Sequence, residues 1–461
     1  MGILKNNNIN PASFRDPSGF IFSDGNLIYR QINLCYKEHY DHLINSGLYE
    51  KLVNLNLLIP HEELDVWENK SEQCYKIIKP KRIPFISYPY EWCFSQLKDA
   101  ALAVLEINKI AFEYGMALKD ATAYNVQFLN CKPILIDTLS FEKYQKGKPW
   151  VAYRQFCQHF FAPLILMKYK DVRLNQLSRI YLDGIPLNLA SSLLSKWTYL
   201  KFSIFAHVHL HAKYQDHYAD KRTRNHQMRP SHYLALIDNL EKNIQKLQLK
   251  ISKSFWSHYY KITNYSPESF KHKKQIVAEF IDDIKPKNIW DLGSNIGAFS
   301  ELANERGIHT ISLDNDPITI ETCYSTWKAK NKKNILPLIM DLTNPSPGIG
   351  WEHEERMSLI ERGPVDMLLA LALIHHLTIS HNLPFQKVAD FFRKICRYLV
   401  VEFVPKDDTQ VSKLLANRDD LYVNYTQSYF EKAFSRYFNI IRFIKIRESK
   451  RIIYLMRNKG Y

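Results

Sequence analysis

The spacing of apolar residues changes character near residue 265. Before it, residues 20–33 alternate around the polar turn Ser23-Asp24-Gly25-Asn26, which predicts two short strands. Helical spacing follows from Tyr36 to Leu58. Strand-like stretches at Tyr75–Ile78 and Phe85–Ser87 then lead into Pro89-Tyr90-Glu91-Trp92. Phe94–Tyr114 carries apolar residues three and four apart and stops at Gly115, as a helix does. Val126–Phe128 and Pro133–Ile136 flank Asn130 as a hairpin, and residues 150–210 read as mostly helical and aromatic-rich. Lys213–Pro230 is polar, basic and aperiodic, the pattern of a linker or exposed loop, with a helix after it over Tyr233–Leu249. From there to the end, strand and helix alternate as in a parallel sheet covered by helices. This divides the chain into an α+β domain over 1–212, a basic linker and helix over 213–264, and an α/β domain over 265–461.

Composition supports a folded, two-domain protein. The 461 residues exceed one ordinary core, and 46% are hydrophobic against 24% charged. The net charge of +15 favours acidic partners such as nucleic acid, phosphorylated molecules or anionic lipid, or marks a solvated lysine-rich surface. The seven cysteines are scattered and form no CxxC pair, which argues against a disulfide framework and a zinc ribbon. The N-terminus lacks the apolar run of a secretory signal, and Asn6 stands where a myristoylation signal has Ser or Thr. The apolar runs Phe160–Met167 and Met367–Ile374 are too short to span a bilayer, so the chain reads as cytoplasmic.

The sharpest local pattern is Asn288-Ile-Trp-Asp291-Leu-Gly293-Ser294-Asn295-Ile-Gly297, followed by a helical run. An apolar strand ends at an acid, and a turn follows in which Gly293 permits close approach of a ligand and Gly297 close packing of the helix. The spacing is not the G-x-G-x-x-G of dinucleotide sites. Asn295 fills the middle position, and Asn tolerates the left-handed backbone better than most residues. A second strand, His309–Asp314, ends in an acid about 20 residues further on, where a carboxylate can accept a ribose diol. Asn334–Asp341 is a third acid-ended strand, Val365–Ala370 a fourth running on to His375 and His376, and Leu399–Val404 a fifth. Phe438–Ile446 and Arg451–Met456 make a closing antiparallel pair.

This acid-x-G-x-N-x-G loop with acids at successive strand ends resembles the class I S-adenosylmethionine-dependent methyltransferases. DLTNPSP (341–347), LALALIHHL (369–377) and VEFVPK (401–406) are similar to a bacterial group that includes nodulation-type proteins. The resemblance covers about 200 residues and implies a Rossmann-like seven-stranded sheet with S-adenosylmethionine as cofactor. It implies that Asp291, Gly293, Ser294, Asn295 and Gly297 form the loop near the methionine end, that Asp314 and Asn315 meet the ribose, and that Asp341, Leu342 and Ala370 complete the pocket. Asn344-Pro345-Ser346-Pro347 follows the third strand, not the fourth, and reads as a rigid turn on the acceptor side.

Methyl transfer from an activated sulfonium depends mainly on alignment. A base matters where the acceptor must lose a proton, and His375 and His376 stand where the acceptor approaches in this fold. The alternative is that they bond the strand end. The methyl acceptor is not legible: a small molecule, a glycan and RNA all fit, and no nucleic-acid-binding motif is present.

In the first half, Asp120-Ala-Thr-Ala-Tyr-Asn125 has the D-x-x-x-x-N spacing of a kinase catalytic loop, and Ile134-Leu-Ile-Asp137 places an acid at a metal-ligand position. Over about 120 residues this is similar to the aminoglycoside-kinase-like fold. A glycine-rich loop is missing, Leu118 and Lys119 replace the usual His-Arg, and Arg30, Lys76 and Lys79 compete for the strand cation. A kinase-like enzyme acting with the methyltransferase and a recognition domain both remain open, as does a chain whose cofactor domain only senses. His207, His209 and His211 alternate as on one strand face, a weak metal pattern with no acid or cysteine to complete it, so no metal is expected.

Overall fold

A computed structural model describes residues 9–25, 27–64, 72–215, 227–249, 265–415 and 423–461. Much of the predicted linker, at 216–226 and 250–264, and Asn26 of the first turn lie outside the described residues, as do Met1, Gly2 and Asn6. The chain forms two compact units: residues 1–250 with Gly350–Arg356, and residues 251–349 with 357–461.

The first unit opens with strands β1 (Gly19–Asp24), β2 (Leu27–Asn33), β3 (His61–Leu64) and β4 (Cys74–Pro80), joined in the antiparallel order β1-β2-β4-β3. Ile32 and Ile78 bury one face of the central strands against Tyr36, Tyr40 and Leu139, and Ile77 buries the other against Phe22 and Tyr29. Helix α1 (Phe94–Glu113) buries Leu97, Ala101, Val104 and Leu105, and Gly115 stops it at φ 72°. Beyond it β5 (Met116–Leu118) pairs with β8 (Phe141–Lys143), and β6 (Val126–Leu129) with β7 (Lys132–Leu135). The β6–β7 turn is a two-residue left-handed one at Asn130 and Cys131, φ 53° and 56°. Helix α2 (Pro230–Lys246) starts on a proline and packs Tyr233, Ile237, Leu240 and Ile244 inward. The segment Gly350–Arg356 belongs to this unit. Arg15 Nε donates to Glu355 at 3.0 Å, and the Arg356 guanidinium lies 4.4 Å from the centre of the Tyr124 ring.

Three local expectations are corrected here. The stretch from Tyr36 to Leu58 is two helices, Lys37–Asn45 and Leu48–Asn54, because the chain turns through Gly47 at φ 83°. Phe85–Ser87 forms no strand: Ser87 N donates at 2.8 Å to the Gln127 side chain, which replaces a ladder partner. His207, His209 and His211 lie on a π-helix, Phe205–His209, and the helix Leu210–Gln215 that continues it, not on a strand. That last helix also takes Lys213, the first residue of the expected linker.

The second unit holds a seven-stranded sheet in the order β11-β10-β9-β12-β13-β15-β14. Its strands are β9 (Asn288–Leu292), β10 (His309–Asp314), β11 (Ile335–Ile339), β12 (Val365–Ala370), β13 (Cys396–Phe403), β14 (Phe438–Lys445) and β15 (Ile452–Asn458). The first five run parallel, and β15 is inserted antiparallel between β13 and β14. Central strands such as β12 are almost continuously apolar because helices cover both faces. Helix α3 (Pro267–Ile284) is capped by Ser266, which accepts from Ser269 N, and contributes Ile276, Val277, Phe280 and Ile281 to the core with Ile289, Met367 and Leu455. Helices α4 (Ala298–Asn304), α5 (Pro317–Ala329), α6 (Phe385–Ile395) and α7 (Gln427–Phe434) complete the layers. Strand order reverses between β9 and β12, where open α/β sheets form a crevice beyond the carboxyl ends of their strands.

Candidate functional site

A cavity of about 420 Å³ occupies that crevice, lined by residues of the second unit only. Its floor is the turn after β9. The N–H groups of Gly293 and Ser294 both donate to the Leu313 carbonyl, at 2.8 and 3.1 Å, which pins the turn to β10. Gly293 has φ 66°, and a β-carbon there would come within 3.1 Å of Leu373 Cδ1. Asn295 has φ 50°, and its side-chain oxygen accepts from Ile296 N at 2.7 Å. Gly297 does not line the cavity. It lets α4 pack on α5, since a β-carbon would lie 2.4 Å from Trp327 Cζ2.

The acids occupy successive strand ends. Asp291 is buried, accepts from Ser300 Oγ at 2.6 Å and is pushed up to about 7 by burial. Asp314 is held by two backbone donors, Asn295 N at 2.8 Å and Asp316 N at 2.9 Å, and burial raises it to about 6. Asp341 is exposed at the rim and accepts from Thr343 N at 2.8 Å. Asn315 and Leu342 line the same space, whereas Ala370 is buried and does not line it. The Ser294 hydroxyl is buried and has no hydrogen-bond partner among the described residues.

On the other side, β12 ends in a strained turn, with Ala372 at φ 52°, that leads into a π-helix, His376–Ser380. This wide turn brings both His376 and His381 to the cavity. Burial lowers His376 to about 4, so its ring is neutral at pH 7. His375 does not line the cavity. It is fully buried, neither ring nitrogen has a hydrogen-bond partner among the described residues, and burial holds it neutral.

Several lining residues carry no sequence signal of their own. Tyr265, Phe270 and Lys273 come from α3 and the residue before its cap, and Leu414 from the helix Thr409–Leu415. Lys273 Nζ donates to Glu402 Oε2 at 2.6 Å and to Tyr265 Oη at 3.1 Å, and Arg451 clasps Asp408 at 2.8 and 3.0 Å beside them. Although α3 ends only three residues before β9, its Phe270 and Lys273 reach the site through tertiary packing, which periodicity does not report.

In the first unit Asp120, Asn125 and Asp137 come together. Asn125 Nδ2 donates to Asp120 Oδ2 at 3.1 Å and to Asp137 Oδ2 at 3.4 Å. Arg30 on β2 pairs with Asp137 at 2.5 Å, whereas Lys76 and Lys79 pair with Glu63 and Glu62 on β3. Leu118 is buried, and Lys119 donates to Ser18 Oγ at 2.8 Å. Burial and the neighbouring Asp137 raise Asp120 above the usual carboxylate range. Among the described residues no group of three or more His, Cys, Asp or Glu is placed to hold a metal ion. The rings of two of the alternating histidines are engaged: His207 with Tyr153 at 2.6 Å and Asn239 at 2.9 Å, His209 with Ser191 at 2.7 Å and Thr198 at 2.9 Å.

Sheet order, an acid-tipped β9–β10–β11 edge and a crevice at the strand reversal define the second unit as a class I methyltransferase-type Rossmann fold, preceded by an α+β unit. Over 453 residues the chain is 33% identical to the nodulation protein NoeA of Rhizobium meliloti (strain 1021), covering 96% of this chain and 94% of the relative. The chain belongs to the NoeA family. No family model matches it. Similar solved structures include the bifunctional kinase-methyltransferase WbdD, at 14% identity over 48% of this chain and 46% of that one with a TM-score of 0.30. The N-methyltransferase NodS of Bradyrhizobium japonicum WM9 is similar at 11% identity over 42% of this chain and 98% of that one, with a TM-score of 0.32.

Proposed function

We propose that the chain is an S-adenosylmethionine-dependent methyltransferase. The observation that carries this reading is that Asp314, fixed by two backbone donors, lines the same cavity as the Ser294 hydroxyl, which has no hydrogen-bond partner among the described residues. A buried polar atom left unpaired costs about 1–3 kcal/mol, so its presence suits a site that a polar ligand completes. The open approach at Gly293, which a β-carbon would narrow, fits the same ligand.

When bound, the cofactor supplies a methyl group on a sulfonium, whose thioether leaves without protonation. Asp314 would hold paired ribose hydroxyls. Asp291 and Lys273, at the opposite end, would meet an amino acid's ammonium and carboxylate. Asp341 and Leu342 would border the base. His376 is neutral at pH 7 and faces the cavity, so it can accept a hydrogen bond, and then a proton, from a hydroxyl or amine acceptor. His375 is buried away from the cavity lining and takes no part in this proposal.

For the first unit we propose recognition, not phosphoryl transfer, because the Arg30 guanidinium already neutralises Asp137, the acid expected to bind metal.

Calorimetric titration of the full chain with S-adenosylmethionine tests the first reading, with Asp314→Asn as the control. Micromolar binding that the substitution weakens tenfold or more supports it. Absence of binding by folded wild-type protein removes it.

A further inference from the structure

The 3₁₀-helix Lys196–Leu200 and the short helix Phe202–Ile204 turn a row of large apolar side chains away from the first unit's core. Leu200 is 89% exposed and Phe202 75%, and Trp197, Tyr199 and Phe205 are exposed beside them. The backbone beneath is well anchored. Thr198 is buried and its hydroxyl donates to the Ser195 carbonyl at 2.6 Å, while Ile204 and Val208 face the core. The aromatic rings are braced as well. Tyr199 stacks on His209 with centroids 3.8 Å apart, and Trp197 meets Tyr169 edge-on at 5.4 Å. Trp197 and Tyr199 are therefore held by packing, and Leu200 and Phe202 project from an anchored backbone.

The charge of the segment has one sign. Between Asp183 and Asp216 the sequence contains no Asp or Glu, whereas Lys196, Lys201 and Lys213 fall within it. The Lys201 ammonium lies 5.2 Å from the ring centres of both Tyr169 and Trp197. Among the described residues no helix is long and apolar enough to cross a membrane.

We propose that this face docks on an anionic lipid surface. Trp and Tyr at the rim, with apolar bodies and polar tips, suit the headgroup boundary, and lysines alongside favour acidic headgroups. Leu200 and Phe202 are the most exposed side chains of this row. A fluid acyl layer accepts projecting side chains without a matched pocket, whereas a folded protein partner would have to supply one. The positive charge of the whole chain adds to the attraction at low salt. The inference is independent of the methyltransferase reading.

The test is co-sedimentation of the full-length protein with vesicles of phosphatidylcholine alone and of phosphatidylcholine with 30% phosphatidylglycerol. Binding to the anionic vesicles that falls with added salt is expected. Leu200→Asp with Phe202→Asp should reduce it about tenfold, and Lys196→Glu with Lys201→Glu should also weaken it, while each variant keeps the wild-type melting temperature. Leu200→Asp alone is the check on folding, since nothing packs on most of that side chain. Absence of wild-type binding, or binding that both pairs of substitutions leave unchanged, overturns the proposal. So does a concentration-dependent dimer in sedimentation velocity that Leu200→Asp abolishes while lipid binding persists, which would assign the face to a second copy of the chain.

Discussion

Arg30 on β2 and Asp137 beyond β7 form an ion pair at 2.5 Å, with both side chains largely removed from solvent. The pair joins the antiparallel sheet of the first unit to its acid-amide cluster. Removing one partner strands a charge in a poor solvent for it, which typically costs 3–5 kcal/mol. Arg30→Met is therefore expected to destabilise the first unit by about 3 kcal/mol. Thermal denaturation should show this, and Arg30→Met with Asp137→Asn should recover most of the loss. If the single variant melts like wild type, the pair does not hold the unit together.

The hydroxyl of Ser294 contributes nothing to internal bonding among the described residues. Its removal should leave the melting temperature of the ligand-free protein unchanged. If it contacts the cofactor, Ser294→Ala loses roughly 1 kcal/mol, or about fivefold in affinity for S-adenosylmethionine. Equal affinities in calorimetry would place the cofactor elsewhere.

Asp314 titrates near 6, against about 3.9 in an unfolded chain, because burial opposes its charge. The folded state thus holds this proton more tightly than the unfolded one. The stability it contributes is present below about pH 4 and is lost as pH rises through 6. Asn imitates the neutral carboxyl, so the melting temperature of Asp314→Asn relative to wild type should climb between pH 4 and 7. A pH-independent difference would contradict the shift. Cofactor affinity in the wild type should fall below pH 6, as the carboxylate that accepts hydroxyl protons disappears.

His376 is lowered to about 4 by burial and by the nearby His381 and Arg451. A base at this position stays unprotonated from pH 5 upward. The methyl-transfer rate should therefore show its acidic limb near pH 4, with none near 6.5 from this residue. His376→Asn should cut kcat about 10²-fold while leaving cofactor affinity within twofold, the usual scale for loss of a general base. Full activity in the variant would mean that the acceptor gives its proton to water or to another group.

The parts of this architecture that local chemistry dictates were legible in the sequence. A strand ending in Asp291 and followed by Gly293 has few alternative structures, and the acids of β10 and β11 recur with the βα period. The hairpin at Asn130 and the stop at Gly115 follow from backbone conformations that few residues adopt. Phe85–Ser87 misled because the apolar pattern does not reveal that a distant glutamine, Gln127, takes the backbone donor of Ser87. The His207–His211 alternation misled because its spacing of two matches one face of a strand, whereas the segment folds as a π-helix continued by an α-helix. Lys273 and His381 were missed for another reason: their place at the cavity depends on packing and on the wide turn at His376–Ser380, not on neighbours in sequence.

The left-handed backbone at Asn295 has a kinetic consequence. A glycine there would leave the turn many conformations in the absence of ligand. Asn restricts them, and its side-chain oxygen further ties down Ile296 N at 2.7 Å. Much of the entropy cost of ordering the turn is then met during folding and not during association. Ligand capture by such a turn need not wait for a rare open-to-ordered fluctuation, so the association rate should be set by diffusion into the crevice and stay first order in ligand to high concentration.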